Sequence, residues 1–236
     1  MIMKQKYTII ALFFTILVFL KPVIARNNNE LIITKKNVMV YEDFNSDLSR
    51  KYRIGIIKFL DKSVLQKISS KWTRIKTKYI SGWIDKKYSS FIPESWIKYK
   101  IDEKYYLHLP KHIKLNKIKV KDNKYKFFTD NKWIWIHFSE SQKPMASRIK
   151  MIEHIKKCCL TVNSFLNTYQ FNFRNKKMYF WHSNDLTGDS AITIALIIEL
   201  APDKIISMSI IYYNEKLSDY YDLMKILFSI TQSVQS

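Results

Sequence analysis

The sequence contains very little cysteine and glycine. Only two of its 236 residues are cysteines and only three are glycines. The two cysteines, Cys158 and Cys159, are neighbours, and a disulfide between adjacent residues would form a strained ring. A disulfide-stabilised fold is therefore excluded, and the core has to stabilise the chain by itself. Hydrophobic residues make up 47% of the chain, which is enough for such a core.

Arginine is also scarce in this strongly basic chain. The formal net charge is +20, but only six of the 40 basic residues are arginines. A basic balance suggests an anionic partner, such as nucleic acid, anionic lipid or a cell-wall polymer. Nucleic-acid binders use arginine to contact phosphates and base edges, whereas the lysines here are spread along the whole chain. This distribution argues against a nucleic-acid partner.

The common catalytic motifs are absent from the sequence. It has no nucleophile elbow, no HExxH pair and no glycine-rich phosphate loop. His154 and Cys158 lie four residues apart on a predicted helix, but structural zinc requires four ligands. We therefore predict no enzyme activity, no metal site and no cofactor. One alternative stays open, because the polar segment 181–190, with His182 and Asp185, contains residue types that a hydrolase could use.

The first residues have the pattern of a secretory signal peptide. Lys4 and Lys6 precede an uncharged apolar run of 14 residues, "YTIIALFFTILVFL". A membrane span needs about 20 apolar residues, so this run is short for a transmembrane helix. A signal peptide at 1–25, cleaved after Ala25, predicts export to the periplasm or the extracellular space. The alternative is an uncleaved anchor in the inner membrane, the one case in which the membrane would be a partner.

Residues 36–90 show short strand-like runs without a helical period. We predict strands in "NVMVY", "YRIGIIKFL", "SVLQKI", "WTRIKT" and "SGWIDKKY". Strands this short and this closely spaced are typical of a small all-β barrel. Gly82, directly before Trp83, predicts a bend or a positive φ that other residues resist. The preceding residues, 26–35, are predicted to be a tether.

The stretch from Trp72 through Gly82-Trp83-Ile84 to Tyr88 resembles the closing hairpin of bacterial SH3-like (SH3b) domains. "NVMVY" and "YRIGII" lie where that family has its earlier strands, so the resemblance covers residues 36–90. The family's usual Gly-Pro pair after the first strand is replaced here by "YEDFNSDLSRKY". The resemblance implies a ligand groove, and the aromatic residues on the strands that flank it are the candidate binding residues. These are Tyr41, Trp72, Trp83 and Tyr88.

The second part of the chain, residues 104–236, is predicted to mix strands and helices after a linker at 91–103. Alternating apolar residues predict strands in "YYLHLPKHIKL", "KLNKIKV", "YKFFT", "KWIWIHF" and "KKMYFWH". An apolar stripe at steps of four and three from Met145 to Leu166 predicts an amphipathic helix. The apolar run "AITIALIIEL" predicts a central strand that forms a hairpin with "KIISMSIIYY". The run "KLSDYYDLMKILFSI" predicts a final helix.

The beginning and end of this second part resemble the PsbP/Mog-like fold. "YYLHLPKHIKL" and "LMKILFSI" carry the resemblance, with Pro110, Ile113 and Ser229 at the matching positions. It implies an α/β/α-type sandwich with an antiparallel sheet and a C-terminal helix, and an accessory or binding role. The predicted fold class is therefore α+β overall, with an SH3-like barrel followed by this sandwich.

These observations predict an exported, non-enzymatic binding protein of the bacterial cell envelope. Its SH3-like part would recognise a peptide, the peptide part of peptidoglycan, or an envelope protein. Two alternatives stay open. The first is a cell-wall-targeted hydrolase with the segment 181–190 in its active site. The second is electrostatic adhesion to anionic envelope polymers or lipids through the lysines.

Overall fold

The computed structural model of the protein describes residues 30–43, 53–121, 123–130, 134–158, 165–184, 191–213 and 217–234. The predicted signal peptide lies outside the described residues. Within them the chain forms mostly antiparallel β-sheet with two helices, so the α+β class is confirmed. Neither helix is long and apolar enough to cross a membrane, in the part of the chain that is described.

The first six strands form one antiparallel sheet, here called the N-terminal sheet. Its order is β1-β4-β5-β6-β2-β3, and each strand predicted from alternation is present. A single 3-10 turn, Lys86–Tyr88, follows the last strand. The strands are β1 (Glu30–Ile32), β2 (Val38–Tyr41), β3 (Arg53–Ile57), β4 (Lys62–Ser69), β5 (Trp72–Lys76) and β6 (Ser81–Asp85).

The predicted SH3-like barrel is not confirmed, because the described residues of this sheet do not close. At its two edges β1 pairs with β4 and β3 pairs with β2, and no pairing joins β1 to β3 within the described ranges. On the side of β1 away from β4, the N–H of Thr34 donates to the carbonyl oxygen of Tyr88 and the N–H of Ser90 donates to that of Ile32. The β1 edge is therefore occupied by the segment after the 3-10 turn, where Ile33 bridges Ser89, whereas β3 stays an open edge with Ile56 55% exposed.

Seven further strands form the C-terminal sheet, in the order β12-β13-β14-β15-β11-β10-β9. β14 is an interior strand and forms a hairpin with β15, as predicted, and its residues 193–198 are all buried. A separate hairpin, β7 (Ile97–Lys100) with β8 (Tyr106–Leu109), precedes this sheet. The sheet strands are β9 (Asn116–Lys121), β10 (Lys124–Phe128), β11 (Ile134–Ser141), β12 (Phe165–Phe173), β13 (Lys176–Asn184), β14 (Ile192–Ala201) and β15 (Lys204–Tyr212).

The two helices cover opposite faces of the C-terminal sheet. α1 (Met145–Cys158) places Met145 and Ile152 against Ile197 and Ile205. α2 (Leu217–Ser233) buries Met224 and Leu227 in the larger core on the other face, beside β8. Successive residues of a strand point to opposite faces, which is how β14 can supply both cores. The antiparallel sheet and the C-terminal helix were both predicted from the sequence.

The helix predicted from Met145 to Leu166 is shorter than expected. α1 ends at Cys158, and Leu166 lies in β12, which the sequence did not predict. β12 pairs with β13 along its whole length through a two-residue turn at Arg174 and Asn175. The prediction was wrong at Leu166 because an apolar residue at a helical step can equally be part of a strand, and only the pairing decides.

The N-terminal sheet and the C-terminal layers share apolar contacts. Ile32 and Leu60 are part of the core that α2 completes, although they come from the N-terminal sheet region. The ring of Phe59 lies edge-on to Tyr169 at 5.2 Å and to Phe180 at 5.6 Å. The segments predicted as tether and linker contain β1 and β7, respectively, so both contribute strands to the fold.

Candidate functional site

Gly82 on β6 allows β2 to approach closely. A Cβ added there would lie 2.6 Å from Cγ1 of Val40 and 2.7 Å from the carbonyl oxygen of Tyr41. The backbone of Gly82 is not in the left-handed region, so of the two predicted alternatives, a bend or a positive φ, the positive φ was wrong. The glycine is needed because a side chain would separate the strands, and it allows Tyr41 on β2 to pair with Trp83 on β6.

The strands around Gly82 separate a core face from an outer face. Val40, Ile75 and Ile84 point to one side and form part of the buried cluster of the N-terminal sheet. Because side chains alternate along a strand, Tyr41 and Trp83 point to the other side, which we call the outer face. Three of the four predicted binding residues, Tyr41, Trp72 and Trp83, lie on this face.

A row of five side chains crosses the outer face from strand to strand. Directly paired residues share a face, and the pairing runs from β3 through β2, β6 and β5 to β4. We call this the aromatic–cation row. Its aromatic centre has a cation at one end and two at the other, and all three cations are exposed. Its members, in order, are Arg53, Tyr41, Trp83, Arg74 and Lys67.

The two tryptophans of the outer face, Trp83 in the row and Trp72 beside it, are both buried. Trp72 and Trp83 are each only 6% exposed, whereas Tyr41 is half-buried. The ring of Tyr41 contacts Trp72 edge-to-face with 5.7 Å between centroids, which fixes its orientation. The ammonium group of Lys71 lies 5.7 Å from the centre of the Trp72 ring. Tyr41 is therefore the aromatic residue that the face offers to a ligand, and the tryptophans hold it in place.

Tyr88, the fourth predicted binding residue, lies apart from this row. It sits in the 3-10 turn, and its ring is edge-on to Tyr221 of α2 at 5.1 Å. The ammonium groups of Lys35 and Lys87 lie 4.1 Å and 4.7 Å from its ring centre. Burial by itself raises the pKa of Tyr88, but hydrogen bonds and charge from these two lysines together outweigh it and lower the pKa. Tyr88 thus belongs to the contact between the N-terminal sheet and α2.

The aromatic–cation row can bind a flat or apolar group and anionic groups at once. Adjacent strands are about 4.8 Å apart, so Arg53 and Arg74, three strands from each other, are separated by about 14 Å. An extended chain of four residues spans about the same length. A guanidinium group binds a carboxylate through two parallel hydrogen bonds, and a tyrosine ring gives a rigid contact surface. The geometry therefore fits a short peptide that carries carboxylates.

The sequence indicated the aromatic half of this row and missed its cations. Arg74 alternates with the buried Thr73 and Ile75 in the "WTRIKT" run, so its exposure on the outer face could have been read from the period. The sequence could not show that Arg53 and Lys67 lie in the same row, because this depends on the register of five strands. The pairing of Arg53 with Tyr41 comes directly after an irregularity in the strands next to Tyr41. The pairing of Lys67 with Arg74 likewise comes directly after an irregularity next to Lys67.

The polar segment 181–190 contains part of a strand. His182 lies on β13, and its ring centre is 5.7 Å from that of Tyr220 on α2. Asp185 lies outside the described residues. No group of three or more His, Cys, Asp or Glu side chains that could hold a metal occurs among the described residues.

Comparison with known proteins gives a weak likeness of fold. No protein-family model matches the chain, and no curated protein matches it. The solved structure of the cyanobacterial PsbP protein (CyanoP) of Synechocystis sp. PCC 6803 is 10% identical, covers 60% of this chain and 92% of its own, and has a TM-score of 0.40. The solved structure of the Ran-binding protein Mog1p of Saccharomyces cerevisiae is 10% identical. The match covers 74% of this chain and 92% of Mog1p, with a TM-score of 0.27. The chain thus has a weak PsbP/Mog-like resemblance, which concerns the fold alone.

Proposed function

We propose that this chain is an exported, non-enzymatic binding protein of the bacterial cell envelope. Its SH3-like N-terminal sheet recognises a short peptide with carboxylates, such as the peptide part of the cell wall. The observation that carries the proposal is the aromatic–cation row, in which Tyr41 and Trp83 lie between Arg53 on one side and Arg74 and Lys67 on the other.

The row suits a ligand that is present in many copies. Single exposed ion pairs contribute only about 0–1 kcal/mol each, and Arg53, Arg74 and Lys67 are all exposed. One peptide would therefore bind weakly, with most of the orientation set by the fixed ring of Tyr41. A wall polymer offers many neighbouring copies of the same peptide, so weak individual binding can still keep the protein in place.

The test is retention of the mature protein, from Arg26 onward, on purified peptidoglycan at low and high salt. The variant Tyr41→Ala/Arg74→Gln removes one ring and one charge from the row, and we expect retention to fall at least tenfold. Trp72 and Trp83 are avoided, since truncating a buried tryptophan costs about 3–5 kcal/mol of stability.

The matched control is Tyr79→Ala/Lys78→Gln, which removes the same kinds of group from the β5–β6 turn, where Tyr79 is 87% exposed. This control should be retained like the wild type, with both variants folded by circular dichroism. Equal retention of the two variants would contradict the proposal. If salt abolishes retention of all three proteins alike, the binding comes from the lysines as a whole, and the row is not the site.

A further inference from the structure

A second cleft lies on the C-terminal sheet, beside α1. It encloses about 410 Å³ between the first turns of α1 and the strands β10, β11 and β15. α1 packs over Tyr179 on β13, Ile197 on β14 and Ile205 on β15, and so covers only one half of this sheet face. We call the space beside the helix the α1 cleft.

The floor of the α1 cleft is made of small hydroxyl side chains. On β11 and β15, Phe138 and Met208 point into the large core, so their neighbours in sequence point into the cleft. Ser139 pairs directly with Ser207 across the two strands, and in the next row His137 pairs with Ser209. Larger residues at the serine positions would fill the space, so these small side chains create the cavity and line it with hydrogen-bond donors.

Cations line two opposite sides of this floor. On β10, Lys124 pairs with Ser139 and Lys126 pairs with His137, so both lysines border the serines. On the opposite side, Arg148 of α1 and Lys143 just before the helix line the cleft. The lining thus brings four positive charges together and includes no Asp or Glu among the described residues.

The nearest acidic residue on β11 does not neutralise these charges. Glu140 points to the other face of the sheet, where its carboxylate pairs with Lys204 at 2.6 Å. His137 adds no positive charge at neutral pH, because burial and the charge of Lys126 lower its pKa. The neutral imidazole can still take part in hydrogen bonds with a ligand.

We propose that the α1 cleft binds a ligand that carries a phosphate group. A phosphate has three outer oxygens and a charge of about −1.5 to −2, so it needs several donors and more than one cation around it. Lys124, Lys126 and Arg148 supply the charge from both sides, and the hydroxyls of Ser139 and Ser207 donate from the floor. Cavities of about 300–1,000 Å³ hold small organic ligands, so this one has room for more than the phosphate itself. The proposal does not rest on the function proposed for the N-terminal sheet.

Two possible sources of the phosphate group, a soluble ligand and a lipid headgroup, are each tested for binding to the mature protein. Glycerol 3-phosphate is titrated in by calorimetry as the soluble probe. Phosphatidylcholine vesicles with and without phosphatidylglycerol test a lipid headgroup. Binding of glycerol 3-phosphate identifies a soluble ligand, and binding only to the phosphatidylglycerol vesicles identifies a headgroup; either result supports the proposal. Binding to neither probe would overturn it.

Variants then locate the binding. Lys126→Gln/Arg148→Gln removes two cations from the cleft, and we expect binding to weaken at least tenfold. The control Lys111→Gln/Lys114→Gln removes two exposed cations that follow β8, and it should bind within about twofold of the wild type. An equal loss of binding in the two double variants would overturn the proposal, since the attraction would then come from net charge alone.

A further variant separates the cleft from charge altogether. Ser207→Leu fills the floor without changing any charge, and it should abolish binding while circular dichroism shows an intact fold. Unchanged binding by this variant would overturn the proposal. Tyr41→Ala/Arg74→Gln alters only the N-terminal sheet and should bind, like the wild type, whichever probe the wild type binds, which distinguishes this site from the peptide site.

Discussion

Gly82 and Leu60 show how tertiary packing determines the backbone at single residues. Gly82 has an ordinary backbone conformation but no room for a side chain beside Val40 and Tyr41. At Leu60 the backbone conformation itself is unfavourable. Its φ of 63° is in the left-handed region, which costs a residue with a side chain about 1–2 kcal/mol. Burial of Leu60 to 8% exposure and its hydrogen bond to the carbonyl oxygen of Ile33 offset that strain.

We predict that Gly82→Ala lowers the free energy of unfolding by about 1–3 kcal/mol, the usual range for overpacking. The added methyl would meet the backbone carbonyl oxygen of Tyr41, which cannot rotate away. Urea denaturation measures the change. Gly55→Ala is the control, since its Cβ would meet only the flexible end of Ile80. If both substitutions had the same effect, the close approach of β2 would not explain Gly82.

At the scale of elements, the β12–β13 hairpin holds several parts of the molecule together. Its turn residues Arg174 and Asn175 have φ values of 50° and 58°. The backbone N–H of Arg174 donates to Oε2 of Glu30 at 3.1 Å, and its guanidinium donates to the hydroxyl of Thr231 at 3.3 Å. One two-residue turn therefore contacts both β1 of the N-terminal sheet and the end of α2.

We predict that Asn175→Val destabilises this turn and that Asn175→Gly does not. A two-residue hairpin turn with both φ values positive favours Asn and Gly, and a β-branched residue there costs about 1–2 kcal/mol. Thermal unfolding of the two variants should therefore give a lower midpoint for valine and an unchanged or higher one for glycine. A midpoint lowered equally by both substitutions would mean that the Asn175 side chain matters, and the turn conformation does not.

Strands that alternate or are wholly apolar could be predicted from the sequence, as β5, β14 and β15 show. In β5 the alternation is visible within a few residues, because every second side chain enters a core, whereas β14 is apolar throughout because it is buried on both faces. β1 could not be predicted, since it has only three residues and forms by pairing with a strand far along the chain. The same limit applies to the candidate site. Aromatic residues such as Tyr41 are evident in a sequence, but the cations beside it are brought there by strand register.

At the scale of the whole molecule, the two sheets are joined by a common core. Phe59, Leu60 and Ile32 come from the N-terminal sheet region and pack with residues of the C-terminal sheet and α2. Tyr88 and Tyr221 add a second contact between the 3-10 turn and α2. We therefore expect the N-terminal and C-terminal parts to unfold together.

We predict that Phe59→Ala destabilises both parts, by about 2–4 kcal/mol because Phe59 is only partly buried. Amide hydrogen exchange under native conditions should become faster in β5 of the N-terminal sheet and in β14 of the C-terminal sheet alike. Tyr79→Ala, at an exposed turn, is the control and should change neither. Faster exchange in β5 alone would show that the two parts are energetically independent.

The common core also has a consequence while the chain is being synthesised. The N-terminal sheet is synthesised first, but the core that contains Ile32 and Leu60 also contains Met224 and Leu227 of α2, the last helix. Until this core is complete, part of its apolar surface stays exposed to water, and exposed apolar surface of this kind invites aggregation. A fragment that contained the N-terminal sheet alone would keep that surface permanently. The sheet is therefore not a portable module, and a fusion protein meant to carry its binding face would also have to carry α2.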